Sequence, residues 1–363
     1  MPLRARTLLG PGPSNPYPEA TAALGLPLLG HLDPLFLQVL DETSDRLRQV
    51  FGTANRRTLP LSATGSAGME AAFVNTVGPG DVVVVAVNGL FGQRMTDVAA
   101  RCGAEVVAVE HEWGEPVDAE RVLAAHPSPK LIAAVHAETS TGVRSDLEPL
   151  AAGKGDALLL ADCVTSLGGI PVRLDDWGVD LAYSGSQKCL GVPPGLAPFT
   201  ISDRAWERRI EKPQSWYLDL GMLGGYAGEA AGSGGRTYHH TAPTGMVVSL
   251  HAGLGRILEE GLDAVHARHA EAGRLLHEGL QAMGLELFAA EGSRLPELTT
   301  VKVPEGVDSA AVRTELLERF DLELGAGAGA YASTVWRIGL MGPNASPAKV
   351  ALVLGALEDV LGR

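Results

Sequence analysis

Four runs of the chain, residues 82–87, 106–109, 131–135 and 157–161, are built wholly from valine, leucine, isoleucine and alanine. A strand with one wetted face alternates apolar and polar side chains, so unbroken runs of this kind belong to strands covered on both faces. The stretches between them are long enough to carry the chain back by a helix to the same end of a sheet, which makes neighbouring strands parallel. Shorter candidates at 181–184 and 198–201 extend the series. The pattern predicts an α/β architecture, and such sheets bind ligands in the crevice beyond the carboxyl ends of their strands. The residues that directly follow each run are therefore the ones to read for chemistry.

Beyond residue 250 the period changes. Apolar residues at 250, 254, 257, 258, 262, 265, 272, 275, 276, 280 and 283 follow helical spacing and predict one long amphipathic helix over 250–283. Strands are expected at 285–288, 299–303 and 335–338, with helices over 309–320 and 347–361. That is a compact α+β unit, so the expected division is a large unit of residues 15–255 and a small one of 256–363, with residues 1–14 packing near the active site. Residues 221–236, rich in Gly and Ala, read as a mobile or partner-contacting loop.

The 363 residues carry 43 acidic against 29 basic side chains, a net charge of −14, which speaks against nucleic acid as a partner. No run reaches the ~20 apolar residues of a membrane span. Three cysteines without metal-site spacing fit a reducing compartment, so a cytoplasmic protein is expected. Only six of the basic residues are lysines, at 130, 154, 188, 212, 302 and 349.

One of these lysines is set apart. Lys188 closes the segment Asp180-Leu-Ala-Tyr-Ser-Gly-Ser-Gln-Lys188 and is followed by seven uncharged residues, Cys189 to Gly195. Lost hydration there would lower its pKa and free the neutral amine for Schiff-base chemistry; an exposed loop lysine is the plain alternative. Earlier, the run 158–161 ends on Asp162, a carboxylate where α/β sheets hold ligands and where it could keep a proton on a pyridine nitrogen. A helix cap is the ordinary use of such an Asp. Ser62-Ala-Thr-Gly-Ser-Ala-Gly68 opens a helix whose free amides and positive dipole end suit a phosphate, or simply a hydroxyl cap.

In this order the three pieces resemble fold-type I pyridoxal-phosphate enzymes, and within them the class V aminotransferases of the alanine-glyoxylate, serine-pyruvate and serine-glyoxylate kind. The likeness runs through Leu8-Leu-Gly-Pro-Gly-Pro-Ser-Asn15, Gly30-His-Leu-Asp-Pro34, Thr64-Gly-Ser-Ala-Gly-Met-Glu70, Asn88-Gly-Leu-Phe-Gly-Gln-Arg94, Glu138-Thr-Ser-Thr-Gly142, Thr165-Ser-Leu-Gly-Gly169, Ser184-Gly-Ser-Gln-Lys188, Tyr238-His-His-Thr241 and Arg337-Ile-Gly-Leu-Met-Gly342. It implies a large, mainly parallel sheet of seven-stranded type and a smaller C-terminal α+β domain. It implies Lys188 as the lysine that binds pyridoxal 5'-phosphate and shuttles the proton at substrate Cα, with Asp162 on the pyridine nitrogen. By the same resemblance Gly65, Ser66 and Gln187 hold the phosphate, Tyr238 and Thr241 complete that cup from the second copy of a homodimer, and Thr139 sits near the ring oxygen. Phe91 takes the place of the ring-stacking aromatic, where many relatives have Trp. Arg337 corresponds to the arginine that grips the substrate carboxylate, and Gly10, Gly12 and Asn15 approach the substrate through backbone.

The function so implied is transfer of an amino group from alanine or serine to glyoxylate or pyruvate. The alternatives are a transaminase of the same family for an aminophosphonate, pyridoxamine or a biosynthetic intermediate, and a lyase such as a cysteine desulfurase. The lyase needs a mobile nucleophilic Cys late in the chain, and none follows Cys189. Cys189 itself is expected to pack, since adjacent residues rarely reach the same atom. His239 and His240, neighbours on an extended segment, are expected to point opposite ways and to share no metal.

Overall fold

The structure, a computed structural model, describes residues 4–227 and 236–362. The apolar runs form strands β2 (Val82–Val87), β3 (Glu105–Glu110), β4 (Leu131–Val135), β5 (Leu158–Asp162), β6 (Leu181–Tyr183) and β7 (Ala197–Ile201), and a further strand, β1 (Arg57–Leu61), precedes them. They join one seven-stranded sheet in the order β1-β7-β6-β5-β4-β2-β3. Pairs from β6 through to β3 are parallel, and β7 lies antiparallel to both β6 and β1.

The reason for the unbroken runs is visible in the packing. Val84, Ala86, Ile132, Ala134, Leu159 and Ala161 enter the core on one face, while Val83, Val85, Leu131, Ala133, Leu158 and Leu160 enter the core on the other. Each strand feeds two cores with alternate residues. The chain runs outward from β2 to β3, then returns past β2 to β4 and on to β5 and β6, so the reversal of direction opens a crevice beyond the ends of β2, β4 and β5.

A second body of structure follows two long helices, Thr244–Glu260 and Leu262–Ala282. The single helix expected over 250–283 is thus two, because Gly261 takes φ +89°, a left-handed backbone that ends a helix and that glycine adopts without strain. The periodicity survives the break, which is why it read as continuous. A three-stranded antiparallel sheet, β8 (Leu298–Lys302), β10 (Val335–Gly339) and β9 (Gly325–Ala326) in that order, packs with helices Ser309–Phe320 and Pro347–Leu361 around Trp336, Ile338, Leu316 and Val353. Residues 285–288 form no strand of their own; only Leu287 bridges, to Val301. The expected loop at 221–236 begins as a helix, Leu220–Tyr226, started by the Asp219 carboxylate accepting from Gly221 and Met222 N–H. Residues 228–235 of that segment lie outside the described residues.

The N-terminal segment crosses between the two bodies. Thr7 and Leu8 pair in parallel with Leu322 and Glu323, and Gly339 N–H donates to Leu9 O at 2.8 Å. A few residues on, Ser14 N–H donates to Gln187 O at 2.9 Å and its hydroxyl to Lys188 O at 2.9 Å.

Candidate active site

Lys188 stands in the turn after β6 and is 8 % exposed. Burial, and next the positive Arg337, push its pKa down from 10.5 to about 8. Its Nζ donates to Pro11 O, which the N-terminal segment brings to it. Gly12 lies against the same amine: a Cβ there would stand 2.7 Å from Lys188 Nζ, and φ +111° would strain any other residue.

Asp162 ends β5 and Tyr183 ends β6 in register with it, so both side chains share one face of the sheet. Tyr183 OH donates to Asp162 Oδ2 at 2.6 Å and Val164 N–H to Oδ1 at 2.8 Å. Burial outweighs these donors and raises the carboxyl pKa to about 6. Residues Thr64 to Ser66 begin the helix Gly65–Thr76, and no side chain caps it. The first amides of a helix have no partner inside it, so those of Gly65 and Ser66 are available to an anion.

These parts meet around one cavity of about 190 Å³, whose wall includes Gly65, Ser66, Phe91, Asp162, Gln187 and Lys188. Gln187 Oε1 is buried without a partner. Arg94, Tyr183 and Met69 line it too, with Thr64 and Val164, and the resemblance assigns none of the five a role. Arg94 is the more telling omission. Its guanidinium lies 4.8 Å from the Phe91 ring centroid and donates to Ser66 Oγ at 3.2 Å. The signal was the spacing, since an Arg three residues after an aromatic on a helix shares its face. Tyr183 could be found only from strand register.

The other expected residues are not in the lining of this cavity. Thr139 is buried, its hydroxyl bonded to that of Thr165. Arg337, on β10, donates through Nε to Ala326 O at 2.6 Å and through Nη1 to Thr139 O at 3.4 Å. Neither acceptor is a carboxylate, so among the described residues its charge is unpaired and its Nη2 end can still meet an anion. Asn15 turns its side chain inward on its own segment, accepting from Leu8 N–H at 2.8 Å and from Asn344 Nδ2 at 3.1 Å. Gly10 packs at the backbone of Leu324 and Gly325. Tyr238 is 55 % exposed with its ring 5.3 Å from that of His31, and Thr241 is exposed too. Neither lines this chain's own cavity.

Two adjacent residues depart from expectation. His239 and His240 do not point apart: their Nδ1 atoms are 2.7 Å from each other, one donating to the other, because His239 stacks on Trp216 at 4.3 Å and His240 turns to Ser62 Oγ at 2.8 Å. Cys189 is buried, with Sγ 3.1 Å from Thr165 O, and burial raises its pKa far above that of a reactive thiol.

The whole chain has known relatives. The family model described as aminotransferase class-V matches residues 20–341. The alanine-glyoxylate aminotransferase of Callithrix jacchus is 41% identical, with 98% of this chain and 87% of that protein covered. The (S)-ureidoglycine-glyoxylate transaminase of Bacillus subtilis is 36% identical over 99% of this chain and 91% of its own length. Among solved structures, an alanine-glyoxylate aminotransferase from Nostoc superposes with a TM-score of 0.95 at 46% identity, covering 99% of this chain and 96% of that one. With a buried lysine of lowered pKa and a buried strand-end aspartate on one cavity, and kinship along nearly all its length, the chain belongs to the class V aminotransferases.

Proposed function

We propose that this aminotransferase uses pyridoxal 5'-phosphate to move an amino group from a small amino acid, alanine or serine, to a small 2-oxo acid, glyoxylate or pyruvate. The observation that carries the reading is the shared wall of Lys188, Asp162 and the uncapped helix start at Gly65 and Ser66. The residues present fit such a cofactor: a helix end that offers amide donors to an anion, the Gln187 amide on the same wall, a buried carboxylate for a ring nitrogen, and a lysine that becomes a neutral amine near physiological pH. Bound there, the cofactor supplies an electron sink for the bond broken at substrate Cα.

The chain's own residues do the rest. Lys188 holds the cofactor and then, as a free amine, carries a proton to and from substrate carbon. Asp162 keeps the ring nitrogen protonated. Gly65, Ser66 and Gln187 would bind the phosphate, Phe91 would offer a ring to stack on, and Thr139 would serve the ring oxygen. Arg337 grips the substrate carboxylate, and the absence of a side chain at Gly12 leaves the approach to Lys188 open. Tyr238 and Thr241 act in the cavity of a second copy. Such a homodimer is supported by the exposed large apolar residues Leu26, Leu28, Leu32, Leu35 and Tyr238 on one stretch of surface-facing chain and its neighbour. Three free, buried thiols suit a cytoplasmic enzyme, and we divide it into a cofactor-binding unit of residues 15–255 and a smaller unit of 256–363.

The names of the relatives support the acceptor, since the Callithrix jacchus and Bacillus subtilis enzymes are both named for glyoxylate. The test is a screen of amino donors against glyoxylate and pyruvate with the loaded protein, following 2-oxo acid formed from the donor. Transfer from alanine or serine is expected, and no transfer from either to either acceptor would overturn the substrate assignment. Arg337→Ala should lower kcat/KM for carboxylate substrates by about 10²-fold, the cost of one charged two-pronged contact, with cofactor affinity little changed. Equal loss of cofactor and substrate binding would make Arg337 structural.

A further inference from the structure

A fully buried carboxylate that no role above uses, that of Glu138, lies in the turn after β4. The helix Leu90–Arg101, which carries Phe91 and Arg94, begins at Gly89, a residue with no side chain to cap it. The turn after β4 caps it from outside. Leu90 N–H donates to Ser140 Oγ at 2.9 Å, and Phe91 and Gly92 N–H donate to Glu138 Oε2 at 3.1 and 3.3 Å. Glu138 Oε1 accepts from Ser140 N–H at 3.0 Å and from its hydroxyl at 2.6 Å. All four partners are donors, the arrangement an ionised carboxylate requires, and a helix N-terminus favours that charge. Burial pushes the Glu138 pKa up while the donors from Ser140 and Gly92 pull against it. The fit is tight: a Cβ on Gly89 would stand 2.5 Å from Glu138 Cδ and from Ser140 Oγ.

Between the two gripping residues is Thr139, whose carbonyl accepts from Arg337 Nη1 at 3.4 Å. Glu138 is also the carboxylate whose charge bears on Arg337. One turn of chain therefore touches the first turn of the Phe91 helix on one side and the substrate-side arginine on the other. We propose that Glu138, with Ser140, is a positioning residue that locks the ring of Phe91 to the Thr139 backbone, holding the stacking surface and Arg337 in one fixed relation. The proposal rests on the cofactor reading of the cavity.

The test uses the unloaded full-length protein, titrated with pyridoxal phosphate and followed by visible absorbance and induced circular dichroism, for wild type, Glu138→Gln, Phe91→Leu and the double variant. Gln keeps the shape but presents an N–H₂ group to donors. Glu138→Gln is expected to weaken cofactor affinity about tenfold, the size of one lost helix cap, and to change the induced dichroism band. In the Phe91→Leu background the same change should cost no more than about twofold, because the two act as a unit. Wild-type affinity and an unchanged band in Glu138→Gln, even with a lowered unfolding temperature, would reduce Glu138 to a structural residue and overturn the proposal. So would losses that simply multiply in the double variant. Should Glu138→Gln fail to fold, Ser140→Ala breaks the same cap and carries the same expectations. Failure of wild type itself to bind would sink the cofactor reading, an outcome separate from any variant's.

Discussion

Replacing Lys188 by Ala is expected to lower turnover by at least about 10⁴-fold, the upper end of what one positioned proton-transfer group contributes, while the protein stays folded. The side chain is buried but, among the described residues, bonded only to Pro11 O, so its removal deletes a desolvated cation rather than a packing element. Borohydride reduction of the loaded wild-type protein should label the peptide that carries Lys188; a label on any other lysine would refute the assignment. The pKa near 8 adds a pH arm. The neutral amine is the nucleophile, so the rate at which unloaded protein captures pyridoxal phosphate should rise with pH through a midpoint near 8. A midpoint near the ordinary lysine value would mean that the cavity does not desolvate the amine.

The second large effect belongs to Asp162. Its folded pKa of about 6 exceeds the ordinary carboxyl value, so between about 4 and about 6 the folded, unloaded protein binds more protons than the unfolded chain. Stability then falls as pH rises through that window, by up to about 3 kcal/mol, because burying the charge becomes obligatory. A cation set against the carboxylate offsets that cost, as a protonated ring nitrogen would. Asp162→Asn should therefore act in two ways. The loaded variant should lose about 10²–10³ in kcat, the range for removing one buried electrostatic partner. The unloaded variant should lose the Asp162 part of the stability slope between pH 4 and 6, seen by urea unfolding at a series of pH values. An unchanged slope would show that Asp162 is not the strained group.

How much of this could be read without coordinates depended on what kind of signal each residue leaves. Strand runs buried on both faces announce themselves, and β2 and β4 fall where the valine and aliphatic runs lie. The edge strand β1 left no such mark because Pro60 interrupts it, and proline is tolerated there only at the sheet's edge, where Pro60 faces Pro198. Gly261 broke a helix without breaking its apolar period. At the site, Asp162 stood out because it ends an apolar strand, and Lys188 because it is one of six lysines and is followed by seven uncharged residues. Arg94, Tyr183 and Glu138 did not, since their significance lies in partners on other elements: Phe91 and Ser66, the register partner Asp162, and the amides of Phe91 and Gly92. The two histidines failed for the same reason. Their neighbours Trp216 and Ser62, not the alternation of an extended chain, set their directions.

The segment from Thr7 to Ser14 has a consequence for the order in which the protein is made. A ribosome that has passed Ile201 has delivered every strand of the large sheet, together with Lys188 and Asp162. Yet the segment whose carbonyl Lys188 donates to is held at Ser14 by Gln187 and Lys188, and at Thr7 to Leu9 by Asp321, Glu323 and Gly339. One half of that grip is present once the large sheet is made, and the other half waits for residues 321–339. The scaffold can form before residue 321 emerges, but the segment that seats the amine is tied at both ends only afterwards.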